Sequence, residues 1–156
     1  MEFRRAVLED IPRLALLRQQ QLHDEAPQPD CSIQRELDEF FHTMMARDQL
    51  VEYVAEEGGQ IVATGAVCFY EFPPSYINPS GRVAYVTNMY TRPEFRRQGL
   101  ATRMLDLAVA ECRRRGVVRL FLAASQMGRP VYERYGFTAG DDEMKLDLRL
   151  AEESEP

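Results

Sequence analysis

The stretch Asn88-Met89-Tyr90-Thr91-Arg92-Pro93-Glu94-Phe95-Arg96-Arg97-Gln98-Gly99-Leu100-Ala101-Thr102 decides the fold. It reads as the end of a strand, a short basic turn and the opening of a helix. The first-turn amides of a helix lack internal partners and carry the positive end of the dipole. A phosphate suits that position, and a glycine at the helix start lets its oxygens approach the backbone. Arg96 and Arg97 add charge at the mouth. The stretch therefore predicts a pyrophosphate cradle.

The spacing narrows the type. Gly-x4-Gly-Lys-Ser/Thr is absent, and so is Gly-x-Gly-x-x-Gly, which excludes a P-loop and a dinucleotide fingerprint. Arg96-x-x-Gly99-x-Ala101 instead resembles the Gln/Arg-x-x-Gly-x-Gly/Ala signature of the GNAT superfamily, the acyl-CoA-dependent N-acyltransferases. About thirty residues on, Val131-Tyr132-Glu133-Arg134-Tyr135-Gly136-Phe137 resembles the Leu-Tyr-Glu-Lys-x-Gly-Phe segment of the same family, in the same order and at a similar distance. The resemblance covers nearly the whole chain.

Elements read outward from this stretch agree with that order. Glu2 to Val7 predicts a first strand. Glu9 to Leu22 predicts a helix with Asp10 as cap, Pro12 in its first turn, and Ile11, Leu14, Ala15, Arg18 and Leu22 on one face. Ser32 caps a second helix to about Arg47, with Ile33, Leu37, Phe40, Phe41 and Met44 at helical spacing. Leu50–Ala55, the Gly58-Gly59 turn and Gln60–Tyr70 form a hairpin. The proline-rich stretch from Phe72 to Gly81 is a loop, and Arg82–Thr91 the next strand. Gly99 to Arg115 is an amphipathic helix that Gly116 stops. Val117 to Ala124 is nearly all apolar, as a strand covered on both faces would be. Gly128–Tyr135 is a short helix, and Gly136–Ala139 and Glu143–Leu150 are the last strands. Strand–helix–strand over Arg82 to Ala124 implies a parallel pair. The expected fold class is α/β (α+β), a GNAT fold: about four helices and a mixed central sheet of about six to seven strands with a splayed parallel pair.

The chain of 156 residues, 45% of them hydrophobic, is long enough for one domain with a full core, taken as residues 1–150, followed by an acidic tail, 151–156. No apolar run is long enough for a membrane span, and Met1 to Ala6 lacks the apolar stretch of a signal peptide. Cys31, Cys68 and Cys112 are odd in number, far apart and mostly in apolar surroundings; with His23 and His42 they give no zinc spacing. Reduced thiols in a cytoplasmic protein without a metal are the expectation. The net charge of −6 is uneven: Arg92 to Arg134 carries ten arginines against four acidic residues, a net +6, which leaves −12 elsewhere. A cationic segment suits an anionic cofactor, and an acidic remainder suits an amine and argues against nucleic acid. Most of the acidic residues are solvated surface. The run Arg113-Arg114-Arg115 closes a helix, where cations favour the dipole.

The resemblance implies further roles. Acetyl-CoA, as co-substrate, would wedge between the splayed strands, with the pantetheine arm along the backbone of Met89, Tyr90 and Thr91. The pyrophosphate would rest on the amides of Arg97, Gln98, Gly99, Leu100, Ala101 and Thr102, with Arg96 beside it. Tyr132 stands where many members carry the acid that protonates the departing thiolate, a job suited to a phenol. Tyr135 is the rival phenol and aligns with an apolar position, so it is assigned to packing. Ser125 falls where many members carry an asparagine, a departure that leaves its role open. Arg134 matches a lysine that approaches the CoA phosphates, and reads equally as an exposed helix arginine. The base is Glu71, Glu25, Asp24, His23 or water. Asn88, polar within an apolar strand, reads as a satisfied buried amide or as a partner for the acceptor or carbonyl. The implied activity is N-acetyl transfer to a small-molecule or peptide amine in a ternary complex. The partners are that amine, with a second copy of the chain in a homodimer as an option, and neither nucleic acid nor membrane. A non-catalytic acyl-CoA-binding or sensing module is the alternative.

Overall fold

A computed structural model describes residues 1–151. Its frame is one sheet of five strands in sequence order: β1 (Glu2–Arg5), β2 (Leu50–Glu57), β3 (Gln60–Glu71), β4 (Arg82–Thr91) and β5 (Leu120–Phe121). The first three pairings are antiparallel and the last is parallel. Helices α1 (Ile11–Glu25) and α2 (Gln34–Ala46) lie on one face and α3 (Leu100–Arg114) on the other; α4 (Arg129–Tyr135) and a single turn, α5 (Leu148–Ala151), complete the chain.

Alternation along β2 shows why the sheet sits between two layers. Leu50 and Val54 join Ile11, Leu14, Leu17 and Phe41 beneath α1 and α2. The intervening Val51 and Ala55 face α3, with Ala108, Cys112, Leu100 and Met104. Side chains at period two point to opposite faces, so a strand buried on both sides reads apolar throughout. Glu52 breaks this run. It shares the face of Leu50 and Val54 and is 2% exposed.

Ion pairs tie the first elements down. Asp10 is buried and takes hydrogen bonds from the Val7 N–H (2.9 Å) and the Arg4 guanidinium (2.7 Å). It thus caps the short 3-10 turn that leads into α1. The Arg4 side chain holds its carboxyl far below the usual carboxylate range. The N-cap residue of α2 is Ile33 rather than the expected Ser32, which lies one residue earlier and accepts the Gln34 N–H at 3.2 Å.

The strands β2 to β4, the loop from Phe72 to Gly81 and helices α1 to α4 lie close to the predicted bounds. The end of the chain does not. Gly136–Ala139 and Glu143–Leu150 are not strands, and the sheet has five strands rather than six or seven. Of Val117–Ala124, only Leu120 and Phe121 pair with β4, opposite Ala84 and Tyr85. This segment is not covered on both faces: Val118 is 66% exposed and Phe121 41%. Its apolar run was legible, but no further strand lies against its outer edge among the described residues. Cys31 is exposed rather than apolar in setting, while burial pushes the Cys68 and Cys112 thiols up to about 11. Ala151 closes α5, and residues 152–156 of the expected acidic tail lie outside the described residues.

Candidate functional site at the parting of two parallel strands

Beyond Tyr85, β4 and β5 no longer pair, and a cleft of about 630 Å³ opens between them. It is lined by β4 from Tyr85 to Thr91, by the turn into α3, by Ala123–Ser125 after β5, by α4, and by the end of α1. Two backbone irregularities shape it. Thr64 and Ala66 of β3 face Tyr90 and Thr87, so Asn88 and Met89 bulge from β4 opposite Gly65. Asn88 takes a positive φ of 52°, a region asparagine tolerates better than most residues.

The turn before α3 carries two more positive φ angles, 61° at Arg97 and 78° at Gly99. The Arg103 N–H closes the first turn on the Gly99 carbonyl at 3.0 Å, so the N–H groups before it are left at the helix mouth. A Cβ on Gly99 would meet nothing within 4 Å. That open space, a positive helix end and the cleft beside it fit a pyrophosphate and its pantetheine arm.

Of the predicted cofactor residues, Met89, Tyr90, Thr91, Arg96 and Arg97 line the cleft, as do Gly99, Leu100, Ala101, Thr102, Ser125 and Arg134. Gln98 does not; it is exposed. The carbonyls of Met89 and Thr91 already accept hydrogen bonds, from Gln21 Nε2 (3.2 Å) and Arg96 Nε (3.0 Å). Ser125 has a local duty that the sequence reading missed: its Oγ accepts the Gly128 N–H at 3.1 Å and its carbonyl accepts the Arg129 N–H, which fastens the start of α4.

Tyr132 lines the cleft from α4. Its ring stands edge-on to Phe137, centroids 5.9 Å apart, and closes over Gly128, where a Cβ would come within 2.9 Å of the ring. Burial pushes its phenol up to about 12, with Glu25 and Tyr85 adding to the shift, so it stays protonated. Tyr135 faces away from the cleft and donates to Asp106 at 2.9 Å.

The candidate bases separate by position. Because β3 runs antiparallel to β4, Glu71 lies opposite Arg82, at the other end of β4 from the cleft. Glu71 is therefore not beside the splay, and neither it nor His23 lines the cleft. Asp24 does, but it accepts from the Tyr90 hydroxyl (2.7 Å), from Gln20 Nε2 (2.8 Å) and from Arg96 (3.4 Å). Those contacts, Tyr90 foremost, hold its carboxyl below the usual range. Glu25 also lines the cleft and accepts only from Gln21 Nε2 (2.9 Å) among the described residues.

Asn88 is a satisfied amide that also reaches the cleft. Its Nδ2 donates to Glu52 at 3.2 Å, and the main-chain carbonyl of the same residue accepts the Thr64 hydroxyl at 2.7 Å. Burial pushes the Glu52 carboxyl up to about 8. The sequence reading missed Glu52; the signal was an acidic residue at the same parity as the buried Leu50 and Val54.

Five arginines of the cationic segment differ in setting. Arg114 and Arg115 bond to Glu111, and Arg115 also to Asp48, so both are structural. Arg96, Arg97 and Arg134 face the cleft. Among the described residues no three His, Cys, Asp or Glu side chains are grouped to hold a metal ion, and no helix is long and apolar enough to cross a membrane.

The model of the acetyltransferase (GNAT) family matches residues 15–137. No curated protein matches the chain. A predicted acetyltransferase from Clostridium acetobutylicum, solved with acetyl-CoA, is 44% identical over 96% of this chain and 97% of its own, with a TM-score of 0.93. Two more distant structures share the fold. A GCN5-related N-acetyltransferase from Ralstonia eutropha has a TM-score of 0.85 at 24% identity, covering 94% of this chain and 97% of its own. A glucosamine-6-phosphate N-acetyltransferase from Arabidopsis thaliana has a TM-score of 0.71 at 20% identity, with the same coverage. The family match spans most of the chain and includes both the turn into α3 and the helix that carries Tyr132, and on that ground the chain belongs to the GNAT family of acetyltransferases.

Proposed function

We propose that this protein is an acetyl-CoA-dependent N-acetyltransferase that acts on a primary amine of a small molecule or peptide, by direct attack in a ternary complex. One observation carries the proposal: a single cleft joins the helix start at Gly99–Thr102, a half-buried phenol at Tyr132 and a carboxylate at Glu25. Acetyl-CoA supplies the activated acyl group.

The chain's own groups divide the work. The α3 amides and the Arg96, Arg97 and Arg134 side chains hold the phosphates, and the parted edge of β4 aligns the arm. Glu25, at the α1 end of the cleft, receives the amine and, directly or through water, its proton. Attack by the amine nitrogen on the carbonyl carbon forms the C–N bond. As the C–S bond breaks, the sulfur takes the bonding pair and the Tyr132 hydroxyl delivers a proton to it; solvent then restores the phenol. A phenol near 12 keeps its proton until a thiolate develops beside it. Two free thiols with raised values, half-buried Cys68 and buried Cys112, suit a reducing, cytoplasmic setting.

The test is thiol release from acetyl-CoA with a panel of polyamines, aminoglycosides, amino acids and peptide N-termini. Acceptor-dependent release with an N-acetylated product supports the proposal. Tight acetyl-CoA binding without transfer to any member would favour a sensing module.

Two binding predictions follow from the turn. Gly99→Val places a branched side chain in the open space at the helix mouth and on a backbone that disfavours it. Acetyl-CoA affinity should fall more than tenfold, about 1.4 kcal/mol or more. Unchanged affinity by calorimetry in a folded variant would remove the cradle from this turn. Affinity should also fall as salt rises, because Arg97 and Arg134 are exposed and meet phosphates partly in solvent. A titration that is flat from low to high ionic strength would place the phosphates elsewhere.

A further inference from the structure

Helix α1 meets the core through Ile11, Leu14 and Ala15 and then carries Arg18, Gln21 and Glu25 into the cleft. Residues three or four apart are neighbours on a helix surface, so the last three stand in a row. Gln21 is buried and joins the other two. Its Oε1 accepts from Arg18 Nη1 at 3.1 Å, and its Nε2 donates to the Glu25 carboxylate at 2.9 Å. The same Nε2 donates to the Met89 carbonyl at 3.2 Å, which pins the row to the bulge of β4. A cation and an anion therefore sit on the cleft wall no further apart than one amide group and two hydrogen bonds.

Arg18 is the unbalanced member of the row. It is half-buried, and among the described residues its side chain bonds only the Gln21 amide and pairs with no carboxylate. The other half-buried arginines have partners. Arg4 pairs with Asp10 and Glu56, Arg96 with Asp24, and Arg115 with Glu111 and Asp48. Arg92 donates to the Ile61 carbonyl and does not line the cleft. Glu52 feels the Arg18 charge, but burial keeps it protonated up to about 8, so it supplies no counter-charge at neutral pH. A guanidinium drawn partly out of water without an anion loses solvation that an incoming anion restores.

Position separates this cation from those assigned to the phosphates. Asp24 meets Arg96 at the turn into α3. Arg18 lies a turn and a half further back along α1, about 9 Å of helix rise, on the other side of Gln21. We propose that Arg18 binds a carboxylate on the acceptor, and that the acceptor is a small amine carrying its own carboxylate, the amino acid class. This inference rests on the proposed acetyl transfer and narrows its acceptor. An α-amino acid bears its amine and its carboxylate on one carbon, so one small molecule reaches both ends of the row, its carboxylate on the guanidinium and its amine at Glu25. A carboxylate matches a single guanidinium in charge, whereas a phosphate dianion would set an unbalanced charge against Glu25.

The test runs matched pairs in the thiol-release assay: each common amino acid against the amine left by removal of its carboxyl group, such as lysine against cadaverine, with O-phosphoethanolamine as the phosphate arm. The best acceptor should be an amino acid, with kcat/KM about tenfold or more above that of its decarboxylated partner. Arg18→Ala should lower this preference by about 10- to 100-fold, through KM for the acceptor, with the affinity for acetyl-CoA and the far-ultraviolet circular dichroism spectrum unchanged. Arg18→Lys should keep part of the preference. Arg18→Met keeps the apolar stem and repeats the measurement if Arg18→Ala does not fold. Calorimetry with the amino acids reads the same contact without turnover: at least one should bind the CoA-loaded wild-type protein, and about tenfold or more weaker to CoA-loaded Arg18→Ala. Binding that depends on Arg18 without acetyl transfer would sustain the carboxylate site and remove the transferase reading. Equal or better transfer to the decarboxylated amines, a preference for O-phosphoethanolamine, a preference unmoved in Arg18→Ala, or neither binding nor transfer with any amino acid would each overturn the carboxylate site.

Discussion

Replacing Tyr132 by phenylalanine should lower kcat by about 10²-fold, the usual scale for losing a positioned proton donor. The substitution keeps the ring, its edge-on contact with Phe137 and its closure over Gly128. It removes only the hydroxyl, so the fold and the cleft remain. KM for acetyl-CoA should move little, because the hydroxyl acts chiefly as the thiolate develops. A melting temperature close to wild type separates lost chemistry from lost structure. Full activity in Tyr132→Phe would assign the proton to solvent or to the amine itself. A large drop in stability with a modest drop in turnover would make the tyrosine a packing residue whose hydroxyl serves the fold.

The second large effect is on stability. The Glu52 carboxyl, buried on the α1 face of the sheet, ionises near 8 in the folded chain, against 4.5 as its ordinary value. Burial is the cause, and the Asn88 amide opposes it only in part. Between those values the folded chain holds a proton that the unfolded chain has lost, so stability must fall as pH rises. The contribution is complete below about 4.5 and gone above about 8. Each pH unit of that interval is worth about 1.4 kcal/mol at most, which makes the total several kcal/mol. The carboxyls held low, Asp10 and Glu111, lose their contribution only under more acidic conditions and leave this window clear. Glu52→Gln mimics the protonated carboxyl and can still accept from Asn88. It should flatten the slope and raise stability at pH 8, measured by urea unfolding across the window. A parallel slope in the variant would assign the pH dependence to another group.

How much of this was legible depended on whether the signal was local. The run from Arg82 to Thr91, the basic turn and the helix start are consecutive residues, and spacing alone placed them. Glu71 shows the limit. It ends a strand, but which end of β4 it meets depends on β3 being antiparallel, and which end of the β4–β5 pair parts depends on a register only two residues long. Glu52 was hidden differently: in Leu50-Val51-Glu52-Tyr53-Val54 an acidic residue invites an outward reading. Parity with two buried aliphatics was the stronger signal, since side chains two apart share a face. At the chain's end the period-two pattern of Glu143–Leu148 was readable, but a pattern says only that a face wants burial. It does not name the surface that will bury it.

The bulge at Asn88 makes that position unusually intolerant of change. Its backbone needs a residue at ease with a positive φ, and its side chain must offer an N–H to a carboxyl beneath the sheet. Glycine meets the first demand and fails the second, leaving Glu52 without the bond. Glutamine keeps the amide but is a poor fit for the backbone and a carbon too long. Aspartate suits the backbone but sets a second acid against the first. Asparagine meets both conditions at once. In any collection of natural variants of this chain, substitutions at position 88 should therefore arrive together with changes at position 52, and seldom alone.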